Sequence, residues 1–478
     1  MLDRMFNRRT FLGLAGACGI GLAAYGLRRR LSVAPAVAQS IVPEDPMAEP
    51  LPINQPGRWV DLSGFRLSRR KFPYPYRAAV AITSDIDGST LDEFGAIHEY
   101  LNTQTMTAMG QGLGLDISDS FWMYNATDVV AKVHPDGRDM TCQMTYRKGT
   151  SQQPYCADAI SHYLRCGWID SIHSYGDFTR TNPADVRFAR SLAEAAVKEW
   201  QRTGMDKRFE VWIDHGNNAN VQNFGGADRD DLHYQAGDDP ASPYYHTDLL
   251  PNIRFVWGST RGSFESRLSR PSLIYRRTLR DGRRMWGFYR YTNKGLDGQN
   301  SPRWIWSPHL LKEQLNTENF RQLKESGGYA AFAQHLGGPS NLNPPFRPLE
   351  YEPLQLLARE QEQGEILVAR TSRLLRYNLA DLFVRWTAVR DDVSGAVTID
   401  ISAIDDPHLG SYTPEINDIR GITFSCSDPF QATIALKGKP LDPAWIVRHR
   451  PDGTGFGAIG IAWHQADQRN YRVNDRPR

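Results

Sequence analysis

The sequence contains little cysteine, and the spacing of these residues does not fit a zinc knuckle. Five cysteines occur in 478 residues, and Cys142, Cys156 and Cys166 are separated by 14 and 10 positions. Zinc knuckles place paired cysteines about two to four residues apart, so these spacings do not fit one. In an oxidising compartment, a disulfide among these three residues is one expectation.

The sequence also lacks an excess of either positive or negative charge. The 56 basic and 54 acidic residues give a formal net charge of +2, so no excess of Lys and Arg points to a nucleic-acid partner. Repeats and low-complexity tracts are absent from the sequence. The hydrophobic fraction of 40% and the charged fraction of 23% are typical of a globular protein.

The longest apolar run near the start of the chain, residues 11–27, is short for a membrane span and is interrupted by glycines. It follows a twin-arginine pattern at Arg8 and Arg9 and precedes a small-residue site at residues 36–38. These features predict that residues 1–38 are a cleavable signal peptide for the twin-arginine export machinery, with an uncleaved anchor as the alternative. We therefore expect a bacterial periplasmic or exported protein that meets the membrane only transiently.

The rest of the chain divides into three stretches by texture. Residues 39–71 contain many prolines and no long periodic segment, which predicts an N-terminal arm. Over residues 72–382, strand-like and helix-like stretches alternate about seven times, which favours a parallel α/β barrel or a wound sheet. One of these helices is expected at residues 182–201, with Pro183 in its first turn. Residues 383–478 hold short strand-like runs between turn residues, which predicts a small β-sandwich as an accessory domain.

Two carboxylates follow the most apolar strand of the α/β region. Residues 78–83 form an apolar run, after which Asp85 and Asp87 would lie on the same face of an extended chain. Two like charges at a strand end repel each other, and a bound cation or a shared proton relieves the repulsion. The alternative is that both acids are solvated loop residues or helix caps before Leu91.

Three histidines occupy equivalent positions at other predicted strand ends. They are His173, His215, which follows Asp214, and His335. Because the carboxyl ends of parallel strands meet at one mouth of a barrel, we expect these side chains to lie close to Asp85 and Asp87.

This pattern resembles the polysaccharide deacetylase family, the NodB-homology carbohydrate esterases. Residues 83–88 are similar to the family motif Thr-Phe-Asp-Asp-Gly, with one residue inserted between the two acids. Residues 173–177 resemble the motif His-Ser/Thr-x-x-His, with Asp177 in place of the second histidine, and residues 332–336 resemble the Leu-x-His motif. The Arg-x-Pro-Tyr/Phe-Gly motif of the family is missing. The resemblance implies a remote member of the family with a distorted (β/α)7-type barrel over residues 72–382.

The resemblance also implies roles for the candidate residues. Asp85 would be the general base and His335 the general acid. Asp87, His173 and Asp177 would hold one divalent metal ion, either zinc or, given the carboxylates, manganese, iron or magnesium. His215 is the rival third ligand, and if it binds the metal, Asp177 becomes the residue that orients it. The implied reaction removes N- or O-linked acetyl groups from an exported or cell-envelope polysaccharide.

Further residues are candidates for substrate binding or for alternative metal ligation. Asn217 and Asp214 flank His215, and Trp304 belongs to an aromatic-rich segment, residues 285–307, which would line a glycan groove or form a cross-strand ladder. Two other functions compete with deacetylation. One is a metal-independent glycosidase or lyase that uses Asp85 and Asp214 as acid and base. The other is a non-catalytic glycan-binding or assembly protein.

Overall fold

The computed structural model describes residues 56–127, 143–182, 184–216, 219–225, 235–250, 252–258, 266–296, 302–337 and 344–472. The predicted signal peptide at residues 1–38, Cys142 and Asn217 lie outside these ranges. Within them, no helix is long and apolar enough to cross a membrane.

The described residues form a mixed α/β structure. The strands are β1 (Trp59–Leu62), β2 (Phe65–Arg69), β3 (Ala78–Ser84), β4 (Met106–Thr107), β5 (Gly110–Gln111), β6 (Ser118–Phe121), β7 (Tyr124–Asn125), β8 (Ile169–His173), β9 (Gly176–Asp177), β10 (Val211–Ile213), β11 (Phe255–Trp257), β12 (Ile274–Thr278), β13 (Arg284–Phe288), β14 (Asn293–Leu296), β15 (Pro302–Trp304), β16 (Tyr329–Gln334), β17 (Ile366–Val368), β18 (Val384–Arg390), β19 (Val397–Ile404), β20 (Thr423–Cys426), β21 (Ala432–Leu436), β22 (Lys439–Pro440), β23 (Ile446–His449) and β24 (Gly457–Ile461).

Seven α-helices accompany these strands in the described part of the chain. They are α1 (Leu91–Asn102), α2 (Ala157–Cys166), α3 (Arg190–Thr203), α4 (Leu311–Gln314), α5 (Thr317–Ser326), α6 (Pro348–Glu362) and α7 (Thr371–Phe383). Cys156 and Cys166 lie at opposite ends of α2, about 15 Å apart along the helix axis, and therefore too far apart for a disulfide with each other.

The central sheet has nine strands and curls into a half-barrel. Its order is β12-β13-β11-β10-β8-β6-β3-β16, and β17 also pairs with β3. All pairs are parallel except the hairpin of β12 and β13. Every residue of β3 is buried, as expected for a parallel strand that is covered on both faces. Backbone hydrogen bonds from Arg270 to Tyr329 and from Tyr291 to Ala331 connect the two ends of this sheet.

The register of β3 determines where the acidic pair lies. β16 pairs with one edge of β3 as far as Ser84 and Gln334, so Asp85 and His335 both follow the end of the sheet side by side. On the other edge of β3, β17 pairs with its first half and β6 with its last two residues. His173, the last residue of β8, lies at the same carboxyl end of the sheet as Asp85 and His335, and it pairs with Ile213 of β10.

The N-terminal segment and the C-terminal region share a sheet. β2 pairs antiparallel with β20, in a five-stranded sheet of order β1-β2-β20-β24-β23. A second sheet has the order β18-β19-β21-β22. Apolar residues of both sheets and of the central sheet belong to one hydrophobic cluster, and Trp386 packs edge-on against Phe424 at 4.9 Å. Residues 56–71 therefore contribute strands as well as an arm.

The expectation of a helix over residues 182–201 was wrong at its start. Helix α3 begins at Arg190, and residues 184–189 are not helical. The reason is tertiary, because Phe188 is buried in contact with Tyr175 and Phe178, and the Asp185 carboxylate pairs with Arg180 at 2.7 Å. These contacts hold the segment in a non-helical path despite its helix-forming composition.

Candidate functional site

Asp87, His173 and His215 bring atoms that could bind a metal ion together at the carboxyl end of the central sheet. Nε2 of His173 lies 3.1 Å from Oδ2 of Asp87, and Nδ1 of His215 lies 3.5 Å from Oδ1 of the same carboxylate. The two imidazole nitrogens are 2.9 Å apart. One ligand atom from each residue falls within 4.8 Å of the other two, so the three side chains are close enough to bind a single cation.

Groups behind the two histidines orient their rings. Nδ1 of His173 donates a hydrogen bond to the carbonyl oxygen of Ile213 at 3.1 Å, which leaves Nε2 facing Asp87. On the far side of His215, Nε2 is 3.6 Å from Oδ1 of Asp177. The buried Trp122 stacks on His173 at 5.7 Å and meets His215 edge-on at 5.3 Å. An imidazole whose outer nitrogen contacts a carbonyl or carboxylate is the usual arrangement of a metal-binding histidine.

The carboxylate and the imidazoles of this group shift one another's pKa values. Burial alone raises the pKa of Asp87, but the neighbouring histidines, His215 first, hold it well below its usual range. Burial lowers the pKa of His173, but Asp85 and Asp87 outweigh burial and raise it to about 9. Burial lowers the pKa of His215 despite the two carboxylates beside it. The carboxylates therefore favour positive charge beside His173, and the lowered pKa of His215 favours its neutral form, which is the form of an imidazole that binds a cation.

Asp85 and His335 form a second pair next to this group. Nε2 of His335 lies 3.5 Å from Oδ2 of Asp85, and Nη2 of Arg290 lies 2.9 Å from the same oxygen. Burial raises the pKa of Asp85, but Arg290 and the nearby histidines outweigh it and lower the pKa to about 2. The other oxygen, Oδ1, is buried and has no hydrogen-bond partner among the described residues. Asp85 is therefore ionised at neutral pH and keeps one oxygen available.

Arg290 is a component of the site that the sequence analysis missed. Its guanidinium donates to Oγ1 and to the carbonyl oxygen of Thr83, both at 2.8 Å, and lies 4.6 Å from the ring centre of Trp257. The side chain is 1% exposed, so the surrounding residues hold the guanidinium in place. Arg290 stands in a run of aromatic residues after β13, and nothing in that local pattern indicates a contact with Asp85.

His335 is supported by two tryptophans from the segment that follows β14. Trp306 stacks on His335 with ring centres 5.6 Å apart and planes 15° apart. Trp304 stacks on Trp306 at 4.4 Å and is 36% exposed. Trp306 therefore stacks on both His335 and Trp304, and Trp304 is the more exposed of the two tryptophans.

Asp214 has a packing role in the structure. It is 3% exposed, and its carboxylate accepts hydrogen bonds from Nε1 of Trp212 at 2.8 Å and from the backbone of Phe224. Burial raises its pKa to about 7, with Arg277 opposing the effect. Asp177 also bonds locally, since its Oδ1 accepts from the backbone nitrogen of Thr179 at 2.8 Å.

No protein-family model matches the sequence, and no curated protein matches it.

Proposed function

We propose that this protein is a metal-dependent hydrolase that removes N- or O-linked acetyl groups from an exported or cell-envelope polysaccharide. The observation that carries the proposal is the convergence of Asp87, His173 and His215 on one point, with Asp85 and His335 beside them. The acetylated polysaccharide as substrate is supported by the likeness of residues 83–88, 173–177 and 332–336 to the polysaccharide deacetylase motifs.

The residues present fit one divalent metal ion. Two imidazole nitrogens and one carboxylate are a ligand set used by catalytic zinc sites, and other first-row divalent ions accept the same donors. Nε2 of His173 and Nδ1 of His215 lie 2.9 Å apart, which is close enough for both nitrogens to bind the same cation. We infer that His215 is the third ligand and that Asp177 orients it, the second of the two arrangements that the sequence left open.

The proposed chemistry is hydrolysis with a separate base and acid. A divalent cation held here would supply Lewis acidity to the acetyl carbonyl and lower the pKa of water. Asp85, ionised because its pKa is about 2, accepts a proton from the attacking water. His335 donates a proton to the leaving amine or alkoxide as the bond to the acetyl carbon breaks. Arg290 holds the carboxylate of Asp85 in place, and Trp306 does the same for the ring of His335.

Other parts of the structure are consistent with this proposal. Asp214 is buried and bonded to Trp212, which supports the metal-dependent reaction over a glycosidase that uses Asp85 and Asp214. Trp304 offers an exposed indole face near His335, on which a sugar ring can stack. We also propose that the protein is exported through the twin-arginine machinery to the periplasm. This part of the proposal is supported by the signal-peptide pattern of residues 1–38.

We also propose a more specific description of the fold than a curled parallel sheet. We infer that the curled sheet is a distorted (β/α)7-type barrel, because backbone hydrogen bonds from Arg270 and Tyr291 to β16 join its two ends. We also infer that the two sheets of the C-terminal region form a sandwich, because Trp386 and Phe424 pack between them.

Metal analysis combined with acetate release from acetylated polysaccharides tests the function. Asp87→Ala and His173→Ala should each lose both the metal and the activity while they remain folded. His335→Ala should keep the metal and lose turnover. His309→Ala, a change at an exposed histidine, is the control and should behave like the unchanged protein. Full activity of the Asp87→Ala protein would end the proposal.

A further inference from the structure

Asp87 belongs to two groups of potential metal ligands. Besides the group with His173 and His215, Asp85, Asp87 and His335 place one ligand atom each within 4.8 Å of one another. Both groups draw on the same carboxylate, and a carboxylate that lies between two donor sets can bridge two cations about 3.5–4 Å apart.

One carboxylate oxygen of the second group has no hydrogen-bond partner in the described part of the chain. Oδ1 of Asp85 is buried without a hydrogen-bond partner among the described residues, and Asp85 as a whole is 4% exposed. A buried carboxylate oxygen without a partner has lost its hydration, which destabilises the folded protein, and a bound cation would offset this cost.

We propose that Asp85, Asp87 and His335 form a second divalent-cation site, weaker than the first and bridged to it by Asp87. The donor set of one imidazole and two carboxylates accepts zinc, manganese or iron. Nε2 of His335 lies 3.5 Å from Oδ2 of Asp85, so one cation can contact both side chains after a small adjustment.

The charge of the surroundings explains why this site is the weaker one. Three carboxylates lie here, those of Asp85, Asp87 and Asp177, and Arg290 already contributes one positive charge at 2.9 Å from Asp85. A first divalent cation therefore balances the net charge of the group. A second one adds two positive charges with no further carboxylate to offset them, so it binds only when metal is in excess.

Occupation of the second site has a consequence for activity. The cation would take Asp85 and His335, the proposed base and acid, and so prevent both proton transfers. Excess metal should therefore inhibit the enzyme. The inhibition rests on the proposed function, whereas the binding of the second cation does not.

The test is a calorimetric titration of the metal-free full-length protein with zinc chloride. The unchanged protein should bind two equivalents in a tight step and a weaker step. His335→Ala should keep the tight step and weaken the second step at least about a hundredfold. Loss of a residue that only orients a metal ligand costs about 10–100-fold in metal affinity, and loss of a ligand itself should cost at least the upper value. His309→Ala, the control, should keep both steps. His335→Gln provides a second variant if the alanine form does not fold.

The outcomes separate the two proposals. A single equivalent up to millimolar zinc, or a second step that persists in both His335 variants, would overturn the second site. Two steps with the expected His335 dependence, together with no acetate release from any polysaccharide, would sustain the second site and count against the hydrolase.

Discussion

Replacing Arg290 with methionine tests the buried charge pair that holds the proposed base. Arg290 and Asp85 are 1% and 6% exposed, with Nη2 and Oδ2 2.9 Å apart. The chain contains a matched control, because Arg303 and Glu313 have the same 2.9 Å separation but are 59% and 16% exposed. The two pairs differ mainly in burial, although the carboxylate of Glu313 also pairs with Lys294 at 3.2 Å.

The expected cost follows from that burial. Removing Arg290, the cation that contributes most to the low pKa of Asp85, breaks a buried ion pair and should lower the free energy of unfolding by about 3–5 kcal/mol. Arg303→Met should cost about 0–1 kcal/mol, because water screens an exposed pair.

Urea denaturation of the metal-free proteins gives the measurement, with midpoints read between pH 5 and pH 8. Without Arg290 the pKa of Asp85 rises, so the variant can protonate this carboxyl on mild acidification. Its deficit should therefore be smaller at pH 5 than at pH 8. The double variant Asp85→Asn/Arg290→Met should recover most of the loss. Equal costs for Arg290→Met and Arg303→Met, or no recovery in the double variant, would refute the reasoning.

Two further predictions concern Asp214 and Asp177. Burial raises the pKa of Asp214 to about 7, so the folded protein keeps a proton that the unfolded chain releases above about pH 4. The free energy of unfolding should thus fall as the pH rises from about 4 to about 7, by up to about 4 kcal/mol, and Asp214→Asn, measured by thermal unfolding across this range, should flatten the dependence. If Asp177 orients His215, Asp177→Asn should weaken metal binding about 10–100-fold, whereas His215→Ala should abolish it. Metal retained by His215→Ala but lost by Asp177→Asn would make Asp177 the ligand instead.

Local sequence pattern was sufficient for the strands that position the site. The apolar run at residues 78–83 predicted β3, and the strands before His173 and His335 followed from similar runs. Because parallel strands end at one edge of a sheet, the proximity of Asp85, Asp87 and these histidines could be expected from strand ends alone. The structure brings those residues together as that argument requires.

Contacts between distant parts of the chain were decided only by the tertiary structure. Arg290 reaches Asp85 across 205 positions, and β2 pairs with β20 from the other end of the chain. The proposal of His215 over Asp177 as the third ligand depends on ring orientations, which no spacing encodes. The start of α3 at Arg190 depends on the burial of Phe188. Periodicity and turn residues report which face of an element is apolar, but the partner that covers that face is selected by packing over the whole chain.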